Sequence, residues 1–164
     1  MPKTKREYSA GGVVYKKENH KLYFLLGKHS GYHKWVLPKG LIEEGEDPKA
    51  TAVRETEEEM GVKARLINKK PIHIITYVYF ADLKKITTNT RRVEKYQEQG
   101  GGKTKVFKTV TFYLLECVSG DPKDHGWEME EVGWYTLKQA IKKMSFKGEI
   151  ETLQKACQML TTCK

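Results

Sequence analysis

The segment Gly40–Val62, GLIEEGEDPKATAVRETEEEMGV, gathers the side chains best suited to chemistry on a charged substrate. From Glu43 to Glu59 it carries eight carboxylates against only Lys49 and Arg54, a local charge of −6. The whole chain carries +9, so the remainder carries +15. Carboxylates crowded in this way repel one another, and hard divalent cations, which prefer oxygen ligands, turn that repulsion into attraction. Asp47-Pro48 predicts a helix start, with Asp capping orphan N–H groups and Pro at the first helical position. Gly61 predicts its end in a left-handed conformation. On a helix over Pro48–Met60, at roughly 100° per residue, Ala52, Val53, Thr56 and Met60 share a narrow core-facing stripe. Glu55, Glu58 and Glu59 share the neighbouring arc because three- and four-residue steps relate them. Glu57 points away from that arc, and Arg54 lies at its edge.

The rest of the chain must supply the elements that hold this helix. Tyr8–Tyr15 and Leu22–Gly27 read as strands joined by the polar turn KKENHK, and Val36-Leu37 as a short extended piece ended by Pro38. Ala64–Ile67 begins another strand. Ile72–Phe80, rich in β-branched and aromatic residues, is a strand whose expected partner is Val106–Cys117. Residues 81–105 between them form a long basic loop that ends in three glycines. Gly102-Lys103-Thr104 looks like the end of a phosphate-binding P-loop, but the leading glycine is replaced by Gln97 and no strand precedes it, so that reading is rejected. Val132–Tyr135 is a short strand. Two helices follow, Thr136–Met144 and Gly148–Leu160, with apolar stripes of Leu137, Ala140, Ile141 and Met144, and of Ile150, Leu153, Ala156, Cys157 and Leu160. This order predicts one α/β domain over residues 1–164, a mixed sheet covered by helices, with residues 1–7 flexible.

Composition narrows the class. With 38% apolar and 31% charged residues the chain suits an ordinary α/β protein, and no apolar run approaches the roughly 20 residues of a membrane span. The basic start MPKTKREYSA lacks the apolar stretch of a signal peptide. Three cysteines, unevenly spaced and without a CxxC pair, predict a reduced cytoplasmic chain without a disulfide or zinc framework. A pI near 9.3 points to acidic partners: nucleotides and polyphosphates first, nucleic acid second. The oligomeric state is not set by these features.

The spacing across the acidic segment is more specific than its charge. Gly40, five residues, Glu46, seven residues, Arg54-Glu55, two residues, Glu58-Glu59, one residue, Gly61 resembles the Nudix box, departing only at Thr56, where the family usually carries an aliphatic side chain. The resemblance covers 23 of the 164 residues. It implies an α/β/α sandwich around a mixed sheet, and hydrolysis of a nucleoside diphosphate linked to another group. It also implies Mg2+, with Mn2+ as an alternative, held chiefly by Glu55 and Glu59. Glu58 would share ligation or act as base, the Gly40 carbonyl would complete the site, and Arg54 would orient a glutamate. A further carboxylate often arrives before the late strand in this family, and Glu128 is the best placed.

Trp35-Val36-Leu37-Pro38-Lys39-Gly40 resembles the W-x-x-P-K-G lead-in of the diadenosine tetraphosphate hydrolase branch. That likeness implies Lys39 as a cation for the phosphate chain and Trp35 as a surface for a base. The same branch places a tyrosine some way after the box, and Tyr77 and Tyr79 lie 15 and 17 residues after Val62. They share one strand face, so either would stack on adenine. The proline of ADP-ribose-type members is missing from this region. A (d)NTP pyrophosphohydrolase and a diphosphoinositol polyphosphate or RNA 5′-end phosphohydrolase remain as alternatives, followed by a non-catalytic module that binds nucleotide or RNA.

Overall fold

The computed structural model describes residues 3–81 and 104–160, and most of the expected basic loop 81–105 lies outside them. The elements in order are β1 (Lys3–Glu18), β2 (Lys21–His29), β3 (Trp35–Val36), β4 (Lys39–Leu41), α1 (Pro48–Met60), β5 (Val62–Leu66), β6 (His73–Ala81), β7 (Thr104–Gly120), β8 (Met129–Tyr135), α2 (Leu137–Lys143) and α3 (Lys147–Met159). A short 3-10 turn, Pro122–Asp124, precedes β8.

Two long strands organise the sheet. β1 and β7 run parallel from Lys3 opposite Thr104 to Tyr15 opposite Glu116. β6 pairs antiparallel with the first half of β7, as Ile72–Phe80 and Val106–Cys117 led one to expect, and β5 pairs with the second half. On its other edge β1 takes the short β4 at Ser9–Gly11 and then β2, which carries β3 and β8. The mixed sheet is therefore eight strands.

The centre of the sheet is buried on both faces, so its strands read as nearly continuous apolar runs. Successive side chains point to opposite sides. Val13, Phe24, Leu26, Phe112 and Leu114 pack with Ala140, Leu153 and Ala156 of α2 and α3. Val14, Leu25 and Leu115 pack on the opposite side with Ala52 and Met60 of α1. The result is the expected α/β/α arrangement. Among the described residues no helix is long and apolar enough to cross a membrane.

Three expectations change. Residues 3–7, expected to be flexible, belong to β1, because parallel pairing with β7 begins at Lys3. Cys157, expected to be reduced, is disulfide-bonded, while Cys117 is free. The buried stripe of α1 is also wider than the apolar residues suggest: Thr51 and Glu59 are buried with Ala52, Thr56 and Met60, whereas Val53 is half-buried. The hydroxyl of the unusual Thr56 donates to the Ala52 carbonyl at 2.8 Å, so this buried hydroxyl is itself satisfied.

The ends of α1 form as the sequence dictates. Asp47 accepts from Lys49 N–H at 2.8 Å, and Gly61 (φ 74°) donates its N–H to Glu57 O at 3.0 Å. A Cβ on Gly61 would lie 2.7 Å from backbone atoms of Asp121 and Asp124. Gly61→Ala is expected to destabilise the chain by about 2 kcal/mol or more, since it adds this clash to a left-handed backbone. Chemical denaturation checks it, and an unchanged midpoint would refute it.

Candidate active site

The acidic arc of α1 faces the short strand β4 across a cavity of about 300 Å³. Strand β4 is pinned to β1, Gly40 lying opposite Ala10, which places the Gly40 backbone directly against Glu55. A Cβ on Gly40 would stand 2.1 Å from the Glu55 carboxyl carbon, so only glycine admits that carboxylate against the main chain. Glu55, Glu58, Glu59 and Glu128 all line the cavity. Glu128 arrives from the segment before β8, which is docked on the end of α1: Gly126 N–H donates to Glu59 O at 3.1 Å, and Ser30 holds the Glu128 carbonyl through its N–H and its hydroxyl, each at 2.9 Å.

Arg54 ties the arc together. Its Nε and one terminal nitrogen engage both oxygens of Glu46 at 2.8 and 3.0 Å, while its other terminal nitrogen reaches Glu55 at 2.8 Å and Glu58 at 3.1 Å. The bidentate contact with Glu46 aims the guanidinium at the other two carboxylates. Hydrogen bonding to Arg54, assisted by Thr51, pulls the Glu46 pKa down to about 2. The sequence placed Glu46 in the box without a role, and its structural role is to hold Arg54.

Glu59 is 7% exposed and accepts the Lys39 N–H at 3.0 Å. Burial pushes its pKa well above the usual carboxylate range, and the charge of Glu55 and a hydrogen bond with Glu128 push the same way. Burial also raises Glu55, which Arg54 partly offsets. Among the described residues no three acidic, His or Cys side chains form a ready-made ion cage. The donor set nevertheless fits a hard divalent ion. All donors are oxygens, they are gathered where water cannot fully solvate their charges, and the glycine beside Glu55 leaves a backbone approach open. Glu57, by contrast, is exposed and faces Lys63 at 4.0 Å.

A second cavity of about 500 Å³ lies between β6 and the start of α3, walled by Tyr77, Tyr79 and Ile75 on one side and Phe146, Lys147 and Glu149 on the other. The two cavities share Tyr32 and Lys39. Tyr32 stacks on His29 with ring centres 4.1 Å apart and meets Phe146 edge-on at 6.0 Å. Burial is the main reason its phenol pKa is raised, so the hydroxyl stays protonated. Lys39 is almost wholly buried, yet its ammonium stays charged: Glu149 leads the groups that outweigh the cost of burial, followed by Tyr32, Tyr77 and Glu59.

The substrate residues expected from the sequence separate here. Tyr77 and Tyr79 share the wall of the second cavity, but the Tyr79 hydroxyl is committed to the buried Glu7 at 2.7 Å. Trp35 lines neither cavity. It packs edge-on against Tyr135 at 5.3 Å, with the Lys143 ammonium 4.6 Å from its ring centre, and therefore serves the packing beneath α2. Sequence reasoning missed Lys108, Glu149 and Tyr32. Lys108 lines the acidic cavity from an inward position of β7, in step with Val106 and Val110. Glu149 occupies the buried stripe of α3, four residues before Leu153. A charge on an apolar period was the available signal in both cases. Tyr32, in an irregular turn, carried none.

Comparison with known proteins agrees with this architecture. The family profile described as "NUDIX domain" matches residues 5–155. The bis(5'-nucleosyl)-tetraphosphatase [asymmetrical] of Caenorhabditis elegans is 44% identical over 136 residues, covering 82% of each chain. A putative mutator protein, MutT4, of Mycobacterium tuberculosis is 29% identical over 153 residues, 90% of this chain but 53% of that protein, so the chain spans about half of that relative's length. Among solved structures, a C. elegans Ap4A hydrolase binary complex superposes with a TM-score of 0.67 and 26% identity, covering 94% of this chain and 97% of the other. With the box residues gathered on one cavity, the expected sandwich around them and a profile match over nearly the whole length, the chain belongs to the Nudix hydrolase family.

Proposed function

We propose that the protein hydrolyses a phosphoric anhydride of a dinucleoside polyphosphate, with diadenosine tetraphosphate as the preferred substrate and Mg2+ or Mn2+ as the cation. The observation that carries this reading is the pair of adjoining cavities: one lined by carboxylates, the next walled by aromatic rings, with Lys39 and Tyr32 common to both. A molecule that fills them in series has a polyphosphate at one end and a flat base at the other. The similarity to the C. elegans tetraphosphatase supports the same class.

Nudix enzymes generally use divalent cations. A bound cation neutralises charge on the phosphate oxygens and lowers the pKa of bound water. Glu55, Glu59 and Glu128, together with the Gly40 carbonyl, would hold it, and Glu58 would share ligation or accept the proton of the attacking water. Arg54 keeps Glu55 and Glu58 turned toward the cavity. Lys39 and Lys108 bring positive charge to the phosphate chain. Tyr77 offers its ring to the base, opposite Phe146. The full set of box carboxylates argues against a binding-only module.

The likeness to a protein described as a putative mutator favours a second reading, a (d)NTP pyrophosphohydrolase. A panel of dinucleoside polyphosphates, dNTPs, ADP-ribose, diphosphoinositols and 5′-triphosphate RNA, assayed with Mg2+, separates the two. Diadenosine tetraphosphate is expected to give the highest kcat/KM, and equal or better cleavage of dNTPs would overturn the preference. Within the same assay Tyr77→Ala is expected to raise KM about tenfold with little change in kcat, because stacking of a base on an aromatic ring contributes about 1–3 kcal/mol. Tyr77→Phe should retain most of the affinity. An unchanged KM in Tyr77→Ala removes Tyr77 from the base site.

A further inference from the structure

The Lys39 ammonium is attracted from two sides. Its Nζ lies 3.8 Å from Glu149 Oε2 in the wall of the second cavity, and Glu59, in the carboxylate cavity, attracts the same charge. A lysine carries a compact charge on a flexible four-carbon stem, so the partner that holds it decides which cavity it serves. Glu149 is itself firmly placed. It is 4% exposed in the first turn of α3, and its Oε1 accepts the Leu37 N–H at 2.7 Å. One carboxylate thus has two tasks: it ties α3 to the segment leading into β4, and it pairs with the lysine two residues further on.

We propose that Glu149 is a positioning residue that holds the Lys39 ammonium at the junction of the two cavities, away from the carboxylate cluster, as the docking point for the phosphate nearest the bound nucleoside. The inference rests on the dinucleoside polyphosphate reading and names a residue that tunes it. Without the charge of Glu149, the flexible stem of Lys39 is no longer held at the junction, and the phosphate loses its fixed cation. Glu149→Gln separates the two tasks, because the amide oxygen still accepts from Leu37 N–H while the negative charge is gone.

The test is calorimetric titration of the full chain in EDTA with adenosine and with AMP, which differ by one phosphate. It uses the wild type, Glu149→Gln, Lys39→Met and the double variant. The wild type is expected to bind AMP about tenfold or more tightly than adenosine, and in each single variant that ratio should fall below about threefold, since one partner of a buried charge pair is lost. The double variant should show the same ratio as Lys39→Met alone, because residues that act through one interaction are not additive. The ratio, and not either affinity alone, is the readout, because Lys39 and Glu149 both line the base cavity and a change in that wall alters both ligands alike. A ratio that holds or rises in Glu149→Gln overturns the proposal, as does a further fall in the double variant. Failure of the wild type to bind adenosine while it still binds pyrophosphate would instead overturn the base-cavity reading. The variants titrated with pyrophosphate then decide Glu149: a loss in Glu149→Gln that is absent from the Lys39→Met background supports it, and unchanged affinity overturns it.

Discussion

Glu59→Gln is expected to lower kcat for diadenosine tetraphosphate by about 10²–10³-fold, the size of effect seen when one preorganised electrostatic contact to a transition state is removed, while the chain stays folded. Both halves of this expectation follow from burial. Glu59 lies at 7% exposure, and burial pushes its pKa well upward, so its surroundings tolerate a neutral side chain. Glutamine is neutral and nearly isosteric with the native side chain. Its amide oxygen still accepts the Lys39 N–H and its NH2 still donates toward Glu128, so neither hydrogen bond of the native side chain needs to be lost. What disappears is the ability to become an anion when a divalent cation arrives. Glu57→Gln, an exposed change on the same helix, is the matched control and should leave kcat within about twofold. Melting temperature and turnover measured together decide the matter. Normal turnover in Glu59→Gln would remove the residue from the cation site, and unfolding would show that its role is packing.

Gly40→Ala should produce the second largest effect, again in activity rather than stability. The added methyl carbon would meet the Glu55 carboxyl carbon at 2.1 Å and its nearer oxygen at 2.2 Å. The backbone at Gly40 is not left-handed, so alanine meets no conformational penalty there. The obstacle is the end of a flexible side chain, and Glu55 can swing away. Displacing it removes a carboxylate from the main-chain carbonyl that would share a cation with it, and also disturbs its contact with Arg54. Cation affinity and kcat are each expected to fall about 10–100-fold, as for other changes that misplace a metal ligand without deleting it. Stability should change by no more than about 1 kcal/mol, within the ordinary range for single substitutions. Mn2+ titration followed by electron paramagnetic resonance reads the affinity directly. Unchanged Mn2+ binding would mean that the close approach of Glu55 to Gly40 has no part in holding the ion.

Much of the scaffold was legible because it rests on local chemistry. Asp47-Pro48 and Gly61 mark the ends of α1 through capping and backbone preference, and those ends are where the helix starts and stops. The alternation along β6 and β7 marks their pairing for the same reason. Residues 3–7 were harder to read. Their order comes from a parallel partner a hundred positions away, and a polar, basic stretch carries little sign of such pairing. The burial of Glu59 was also hidden. Helical geometry put it on the acidic arc, but the depth of that arc depends on where β4 and the segment before β8 come to rest.

The same division runs through the candidate site. By itself the sequence determined the family and the acidic arc of Glu55, Glu58 and Glu59, which follow from spacing within one segment, and the sandwich fold, which follows from the order of elements along the chain and from that family resemblance. Which of the remaining candidates reach the cavities was decided by tertiary structure alone. Packing against Tyr135 takes Trp35 out of both cavities, and Glu7 claims the Tyr79 hydroxyl. Folding also brings Lys108 and Glu149 in from elements far along the chain, because β7 lies beside β1 and the first turn of α3 reaches back to Leu37. Spacing along one helix is a local property, whereas the neighbour across a cavity is settled only when distant segments compete to bury the same surface.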